Sequence, residues 1–379
     1  MKLSSGNYVI AGVGETPVGK LPNEDIVSLS LKAAKAAIED AGLKKSEVDG
    51  LLTVKTRNAT FLWSIGLCEA LGISPSFTTD LDLGGATPIA MVAHAIGAIE
   101  IGLCRNVVCV FGDDRRTGGR HHGQLHRGTE DTEDPFGFLG APGGYAMIAR
   151  RHMHEYGTRP EQLGAVAVTM RKHASLNENA QMREPITLED YMASRLIVDP
   201  LRLLDCCLVS DGAGAVVVTR RDQARDLAKP PVSVLGLAEF HPHRFLSNAP
   251  SLTTSGASVA GKRAFGQAGI SPEEIDVAEI YDCFTIMVII QLEDYGFCRK
   301  GEGGAFAEGG HIELGGKLPV NTHGGLLSQG HVDGMLHITE AVKQLRGECG
   351  KRQVRDAKLA LVSGNGGIMS THASLVLGR

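Results

Sequence analysis

The side chains most able to do chemistry gather in two short runs. NTHGGLLSQGHVDGM, residues 321–335, sets Asn321, His323 and His331 among four glycines, with Asp333 close behind. AEIYDCFT places Tyr281, Asp282 and Cys283 where an apolar, strand-like run ends. A neutral imidazole at a glycine turn near a helix N-terminus can donate a hydrogen bond to a carbonyl oxygen that gains negative charge. A loop histidine that caps its own helix or faces water has the same spacing. Tyr281 could act at a strand end, where catalytic groups of α/β folds collect, or lie in the core with its hydroxyl bonded. Cys283 has apolar flanks, which fit a buried, inert thiol.

Three further patterns carry less. GETPVGK, residues 14–20, fits GxxxxGK, but a phosphate loop needs Ser or Thr next and a helix beginning at the lysine. Leu21 and Pro22 follow instead, so a strand-to-loop corner is expected. His121, His122 and His126 lie near Asp113 and Asp114 in an Arg- and Gly-rich stretch without the rigid spacing of a metal site; solvent or substrate is their expected partner. His323, His331 and Asp333 share a glycine-rich corner with no fourth ligand in view, so no metal is expected there.

The elements that must position these residues are written twice. Residues 33–49, AAKAAIEDAGLKKSEVD, align without a gap on 260–276, AGKRAFGQAGISPEEID. Each copy predicts a helix with small residues on its buried face, a glycine stop, a short acidic turn and an apolar strand, GLLTV or VAEIY. Each is followed by a glycine turn, a helix and a buried strand: GGATPIAMVAHAIGAIEIG with NVVCVFG, then GGLLSQGHVDGMLHITEAVKQLRG with KLALVSGNGG. The pattern is α/β: two similar halves, 1–222 and 223–379, on a mostly parallel sheet with a seam between them. Residues from about 112 to 208 belong to neither repeat and predict an inserted loop domain, helical at 143–157, 162–177 and 188–195.

A chain of 379 residues with 43% hydrophobic content can bury a large core. Its net charge is −5 and its basic residues are dispersed, so the expected partners are small molecules and protein, not nucleic acid or a membrane. No signal peptide or membrane-length apolar run is read. Eight cysteines without a CxxC pair point to free thiols in the cytoplasm and away from structural zinc.

Together the motifs resemble the thiolase superfamily, in particular its sterol-carrier and lipid-transfer branch. NTHGGLLSQGH resembles the NxxGGxxxxGH signature, EIYDCFT the NEAF or HDxF box, and SGNGGIMSTHASLVLG the C-terminal CxGGG segment. AGVGETPVGK, ARRHMHEYG, RKHASLNENAQMREPITLEDYMASR and DGAGAVVVT are similar to that branch as well. The resemblance covers nearly the whole chain. It implies the duplicated five-layer αβαβα thiolase fold, a loop domain over the active site, a homodimer, and coenzyme A thioester substrates with no bound cofactor. Some relatives act with a small protein built from an OB fold and a zinc ribbon, and the resemblance makes such a partner an expectation here.

The departures redirect the chemistry. The family's nucleophilic cysteine falls at Gly85 of LDLGGATPIAM, its second cysteine at Ser363 and its box residue at Tyr281; His331 alone is unchanged. Thiolysis needs a covalent carrier for the acyl fragment. Retro-aldol cleavage of a β-hydroxyacyl thioester needs none, since the products are an aldehyde or ketone and the enolate of a shorter acyl-CoA. The expected roles follow. His331 stabilises the enolate oxygen, with Gly85, Ser363, Asn365, Gly366 and Gly367 around the oxyanion. Tyr281 is the acid/base, its phenol assisted by His323 or Asp282. The alternatives are an acyltransferase in which Cys283 or Ser363 takes the acyl group, and a non-catalytic acyl-CoA or lipid carrier.

Overall fold

The computed structural model describes residues 6–54, 61–118, 133–138, 140–224 and 227–379. His121, His122 and His126 lie outside the described residues. The chain begins with β1 (Tyr8–Glu15), α1 (Ile26–Ala41), β2 (Gly50–Val54), α2 (Trp63–Leu71), β3 (Phe77–Leu81), α3 (Thr87–Glu100) and β4 (Val107–Asp114). An insertion carries α4 (Gly140–Tyr156), α5 (Pro160–Ser175), α6 (Leu188–Ala193) and the ribbon β5 (Leu196–Val198) and β6 (Leu201–Arg202), before β7 (Asp211–Arg220) returns to the sheet. The remainder runs β8 (Val232–Phe240), α7 (Ala257–Ala268), β9 (Val277–Glu279), α8 (Thr285–Asp294), α9 (Gly303–Glu308), α10 (Gly325–Ser328), α11 (Met335–Arg346), β10 (Leu359–Gly366) and β11 (Thr371–Gly378).

The two repeat copies fold alike for the same local reasons. Gly42 and Gly269 close α1 and α7 in the left-handed region, at φ 74° and 71°. Asp49 then accepts the N–H groups of Arg105 and Asn106, both at 2.8 Å, where β4 begins. Its counterpart Asp276 accepts those of Lys358 and Leu359, at 2.8 and 3.0 Å, where β10 begins. Each helix also lies directly on the first strand of its half. A Cβ on Gly12 would sit 2.2 Å from Ala37 O, and one on Gly236 2.0 Å from Ala264 O, so only glycine admits the approach.

The strands join in the order β3-β2-β4-β7-β1-β8-β11-β10-β9. The order reverses about the β1–β8 junction, where only Val9 with Ser233 and Ile10 with Val232 are paired. Val320 bridges Ala278 in parallel and takes the place in the second half that β3 holds in the first. The sheet is mixed, which corrects the mostly parallel expectation. β2 runs parallel to β3 and β4, and β9 parallel to β10, but β7 and β11 are antiparallel to both of their neighbours. The β10–β11 hairpin forces the antiparallel pairing of those two strands, because a short turn can only join antiparallel strands.

Alternation along the strands divides the core into layers. Val108 and Val110 face Leu29 and Ala33 of α1, while Val107, Cys109 and Phe111 face Ile89 of α3 and Leu336 of α11. Leu361 and Val376 face Ala260 and Ala264 of α7. Helices α3 and α11 therefore lie between two half-sheets with α1 and α7 outside, giving five layers. The insertion begins after Asp114, slightly later than expected. Its helices α4 and α5 pack across the seam on α8, and α5 also on α9 and α10. No helix among the described residues is long and apolar enough to cross a membrane.

Candidate functional site

The expected strand VAEIY ends early, at Glu279, and the extended residues after it are tied from three sides. Asn321, at φ 50°, accepts Ile280 N–H at 2.6 Å and donates to Ile280 O at 2.7 Å. Tyr281 N–H donates to Ser363 Oγ at 2.9 Å; Ser363 in turn donates to Gln291 Oε1 at 2.6 Å, and Gln291 Nε2 donates to Tyr281 O at 2.9 Å. This anchoring drives the Tyr281 ring, 4% exposed, against the turn that starts α3. A Cβ built on Gly85 would lie 2.1 Å from Tyr281 Cζ and 2.2 Å from its Oη. The phenol therefore fills the volume that any side chain at position 85 would need.

The Tyr281 hydroxyl meets the corner between α10 and α11. Its Oη is 3.2 Å from His331 Nε2 and 3.5 Å from Asp333 Oδ1, and His331 Nε2 is 3.1 Å from the same carboxylate oxygen. On the other side of the imidazole, Nδ1 faces Arg115 Nη1 at 3.4 Å and Cys207 Sγ at 3.9 Å. Arg115 pairs with Asp113 at 2.7 Å and reaches Asp333 at 4.0 Å. Asp211 fixes the turn that carries Arg115 by accepting the N–H groups of Arg116 and Thr117 at 2.7 and 3.0 Å. His331 N–H donates to Ser210 Oγ at 3.1 Å.

Burial works against the charged form of His331, but Cys207 and Asp333 outweigh it and push its pKa up to about 10. Burial likewise opposes the Asp333 carboxylate, while the His331 hydrogen bond and Arg115 bring its pKa down to about 2. The guanidinium facing Nδ1 repels an imidazolium, so the charge on His331 rests on Asp333, 3.1 Å from Nε2. The Asp333 carboxylate beside Nε2 therefore favours the protonated imidazole over the neutral one expected from sequence. Burial, and then the Asp333 charge, raise the Tyr281 phenol well above its ordinary range, so it is protonated at neutral pH.

The remaining sequence candidates divide. Asp282 points away from the hydroxyl of Tyr281: its carboxylate accepts Leu326 N–H at 2.8 Å and Leu327 N–H at 3.2 Å, and so holds the start of α10. His323 also lies behind the site, with Nδ1 2.8 Å from Glu279 Oε2 in the core. Neither can assist the phenol directly. Ser363 is 1% exposed and both of its bonds hold backbone or amide, so it does not offer a free hydroxyl. Cys283 is buried, which raises its thiol pKa far above the ordinary value. Gly85, Gly366 and Gly367 do converge. A Cβ on Gly84 would meet Gly366 Cα at 2.9 Å and Gly367 N at 3.1 Å, so the α3 turn and the end of β10 lie backbone against backbone. Asn365 Nδ2 donates to Tyr145 Oη at 2.9 Å, and Asn365 Oδ1 is buried without a partner among the described residues. His323 and Asp333 do not converge, and no group of three or more His, Cys, Asp or Glu among the described residues is placed to hold a metal.

Arg115, Cys207, Tyr145 and Gln291 escaped the sequence reading. The first three come from the inserted segment or its edges, where no repeat or motif flags them. In the sequence Asp333 stands only as a cation ligand, although its position two residues after His331 is a usable signal.

A duplicated five-layer fold with a histidine at the tip of the second glycine turn, and with a tyrosine standing where a nucleophile would project, defines a thiolase-type enzyme scaffold stripped of its attacking cysteine. Comparison with known proteins agrees. Residues 238–379 match the Thiolase C-terminal domain-like family. The chain is 38% identical to a steroid side-chain-cleaving aldolase of Thermomonospora curvata, over 100% of this chain and 99% of that protein. It is also 38% identical to 17-hydroxy-3-oxo-4-pregnene-20-carboxyl-CoA lyase of Mycobacterium tuberculosis, over 90% of this chain and 92% of that one. The solved Ltp2-ChsH2(DUF35) aldolase superposes with a TM-score of 0.92 at 37% identity, covering 99% of this chain and 98% of that chain. Human mitochondrial 3-ketoacyl-CoA thiolase, at 15% identity and a TM-score of 0.74 over 100% of this chain and 99% of that one, shares the fold. The chain belongs to the thiolase superfamily, in its SCP2-thiolase-like aldolase branch.

Proposed function

We propose that this chain cleaves the carbon–carbon bond of a β-hydroxyacyl-CoA by a retro-aldol reaction, releasing an aldehyde or ketone and a shorter acyl-CoA. The observation that carries the reading is the Tyr281 phenol, seated in the space of a Gly85 side chain and hydrogen-bonded to the His331–Asp333 pair. A nucleophile has been exchanged for an acid/base. As the carbon–carbon bond breaks, the β-hydroxyl proton passes to Tyr281 Oη while the phenol's own proton moves toward Asp333. The bond electrons enter the thioester enolate, beside the positive potential of His331 and Arg115. Reversal of the relay then lets Tyr281 protonate Cα. One proton moves from oxygen to carbon, and every protein group returns to its starting state. Coenzyme A enters as part of the substrate.

The names of the relatives make a steroid side-chain CoA ester the first substrate to try. The solved Ltp2-ChsH2(DUF35) aldolase supports a partner protein for this chain, and the small OB-fold, zinc-ribbon protein expected from the family resemblance is the candidate. A homodimer is supported by β3, an edge strand, and by the exposed apolar side chains Phe61, Leu62 and Ile65 where α2 begins. All eight cysteines are free, in keeping with a cytoplasmic setting. The test is incubation with a panel of β-hydroxyacyl-CoA esters, alone and with a co-encoded partner. Free carbonyl product without a covalent adduct is expected. An acyl adduct on Cys207, the half-buried thiol beside His331, would replace the aldolase with an acyltransferase. Binding with neither product nor adduct would leave a carrier.

A further inference from the structure

His337, in the first turn of α11, has no part in the reaction above and is fully buried behind Tyr281. Its imidazole lies nearly parallel to the phenol, with ring centroids 6.2 Å apart and an interplanar angle of 24°. Its Nε2 is 3.2 Å from Ile280 O and 3.2 Å from Asp282 Oδ1. Both partners are acceptors, so Nε2 carries the hydrogen and shares it between the residues on either side of Tyr281. Nδ1 is buried without a partner among the described residues, which leaves the opposite tautomer with an orphaned N–H and no bond to either flank.

The placement of Tyr281 has little tolerance. The ring is bounded at its edge by Gly85 and by Gly334, where a Cβ would come within 3.1 Å of Cδ2. The segment carrying it is extended chain between β9 and α8, which has no ladder of its own beyond Glu279. Asn321, Ser363 and Gln291 tie its backbone and Cys207 N–H donates to Cys283 O at 3.0 Å, but none of these is a ring stacked on the phenol. His337 does both, through one side chain, and Asp282 passes the restraint on to the start of α10.

We propose that His337, through its bond to Asp282, is the positioning residue that fixes the Tyr281 phenol in its acid/base geometry. This rests on the aldolase reading for its kinetic consequence but not for its structural one. Two substitutions separate the ring from the donor: His337→Phe keeps a flat ring and loses the N–H, while His337→Gln keeps an N–H at similar reach and loses the ring. Loss of a fixed geometry by about 1 Å costs about 10²-fold in rate.

For His337→Phe, kcat should therefore fall about 10²-fold with KM within about 2-fold. His337→Gln should stay within about 10-fold of wild type. A substrate-free measurement accompanies the kinetics: alkaline ultraviolet titration of the phenol, with the Tyr281→Phe protein subtracting the other tyrosines. In His337→Phe the Tyr281 phenol, released from burial and from Asp333, should titrate at lower pH than in wild type; in His337→Gln it should not. Wild-type kcat and titration in His337→Phe would overturn the proposal, as would equal losses in both variants. Should His337→Phe not fold, Asp282→Asn weakens the same bond while keeping the shape; the same split at smaller amplitude is expected, and wild-type behaviour on both readouts overturns the proposal. If no form of the protein cleaves β-hydroxyacyl-CoA yet the titration contrast persists, the aldolase reading fails and the clamp stands.

Discussion

Gly85→Ala adds a single methyl group at a position where the Tyr281 ring leaves no room for one. The new Cβ would lie 2.1 Å from Tyr281 Cζ, 2.2 Å from Cε2 and 2.2 Å from Oη. Ordinary carbon contacts begin near about 3.5 Å, so the ring must retreat by more than about 1 Å. It has nowhere close to go, since His337 lies behind it and Gly334 at its edge. A displacement of that size breaks the 3.2 Å contact between Oη and His331. The expected loss in kcat/KM is about 10²-fold, or about 2.7 kcal/mol of transition-state stabilisation. Overpacking adds a stability cost of about 1–3 kcal/mol, read as a fall in Tm. The assay is release of carbonyl product from a β-hydroxyacyl-CoA, together with thermal unfolding. Gly85→Ala in a Tyr281→Ala background supplies the control: with the ring gone the methyl has room, so adding it should not lower Tm below that of Tyr281→Ala, while cleavage stays absent. A Gly85→Ala enzyme with wild-type activity and wild-type Tm would refute the steric exclusion on which the site reading stands.

Three further outcomes are expected. The raised His331 pKa, about 10, means the folded protein holds a proton that the unfolded chain releases near about pH 6.5, so this contribution to stability is complete below that pH and is lost as pH rises toward about 10. The Asp333 pKa, about 2, acts in the other sense: its contribution is present above the ordinary carboxylate value near 3.9 and is lost as pH falls through about 2. Asp333→Asn should therefore flatten the decline of Tm between about pH 6.5 and 10, and an unchanged Tm–pH curve would contradict the ion pair. Arg115→Ala removes the guanidinium from Asp113 and Asp333 and should lower kcat about 10-fold or more, with Arg115→Lys failing to restore it because one ammonium cannot both meet the carboxylates, as Nη2 does, and face His331 Nδ1, as Nη1 does. Ser363→Ala should cost about 1–3 kcal/mol of stability by orphaning Tyr281 N–H, yet leave no acyl-transfer activity to lose, as mass spectrometry of acyl-CoA-treated protein would verify.

The sequence exposed what is local or repeated. The alignment of 33–49 on 260–276 located the paired helices, their glycine caps and the strands that follow. The NxxGGxxxxGH-like run identified His331, whose setting depends on neighbours within a few residues. Adjacency misled at Asp282: although next to Tyr281 in the chain, its carboxylate accepts backbone N–H groups of α10 and meets His337 instead of the phenol hydroxyl. His323 looked like part of one cluster with His331 but pairs with Glu279 in the core, because the glycine turn between them reverses the chain. The central feature was illegible for a different reason. Gly85 signalled only an absence, and that Tyr281 fills it depends on a contact between the two halves that no local pattern encodes. Arg115 and Cys207 are brought to His331 by the ends of the insertion, where charge and thiol have no periodicity to betray them.

The most direct measurement of the central claim is cleavage of a β-hydroxyacyl-CoA in deuterated water by the wild-type and Tyr281→Phe proteins, with product analysis by mass spectrometry. The account predicts an aldehyde or ketone, a shorter acyl-CoA carrying deuterium at Cα, an unmodified wild-type protein, and loss of about 10²-fold or more of the rate in Tyr281→Phe. Turnover by Tyr281→Phe at the wild-type rate, or an acylated protein with no free carbonyl product, would contradict it.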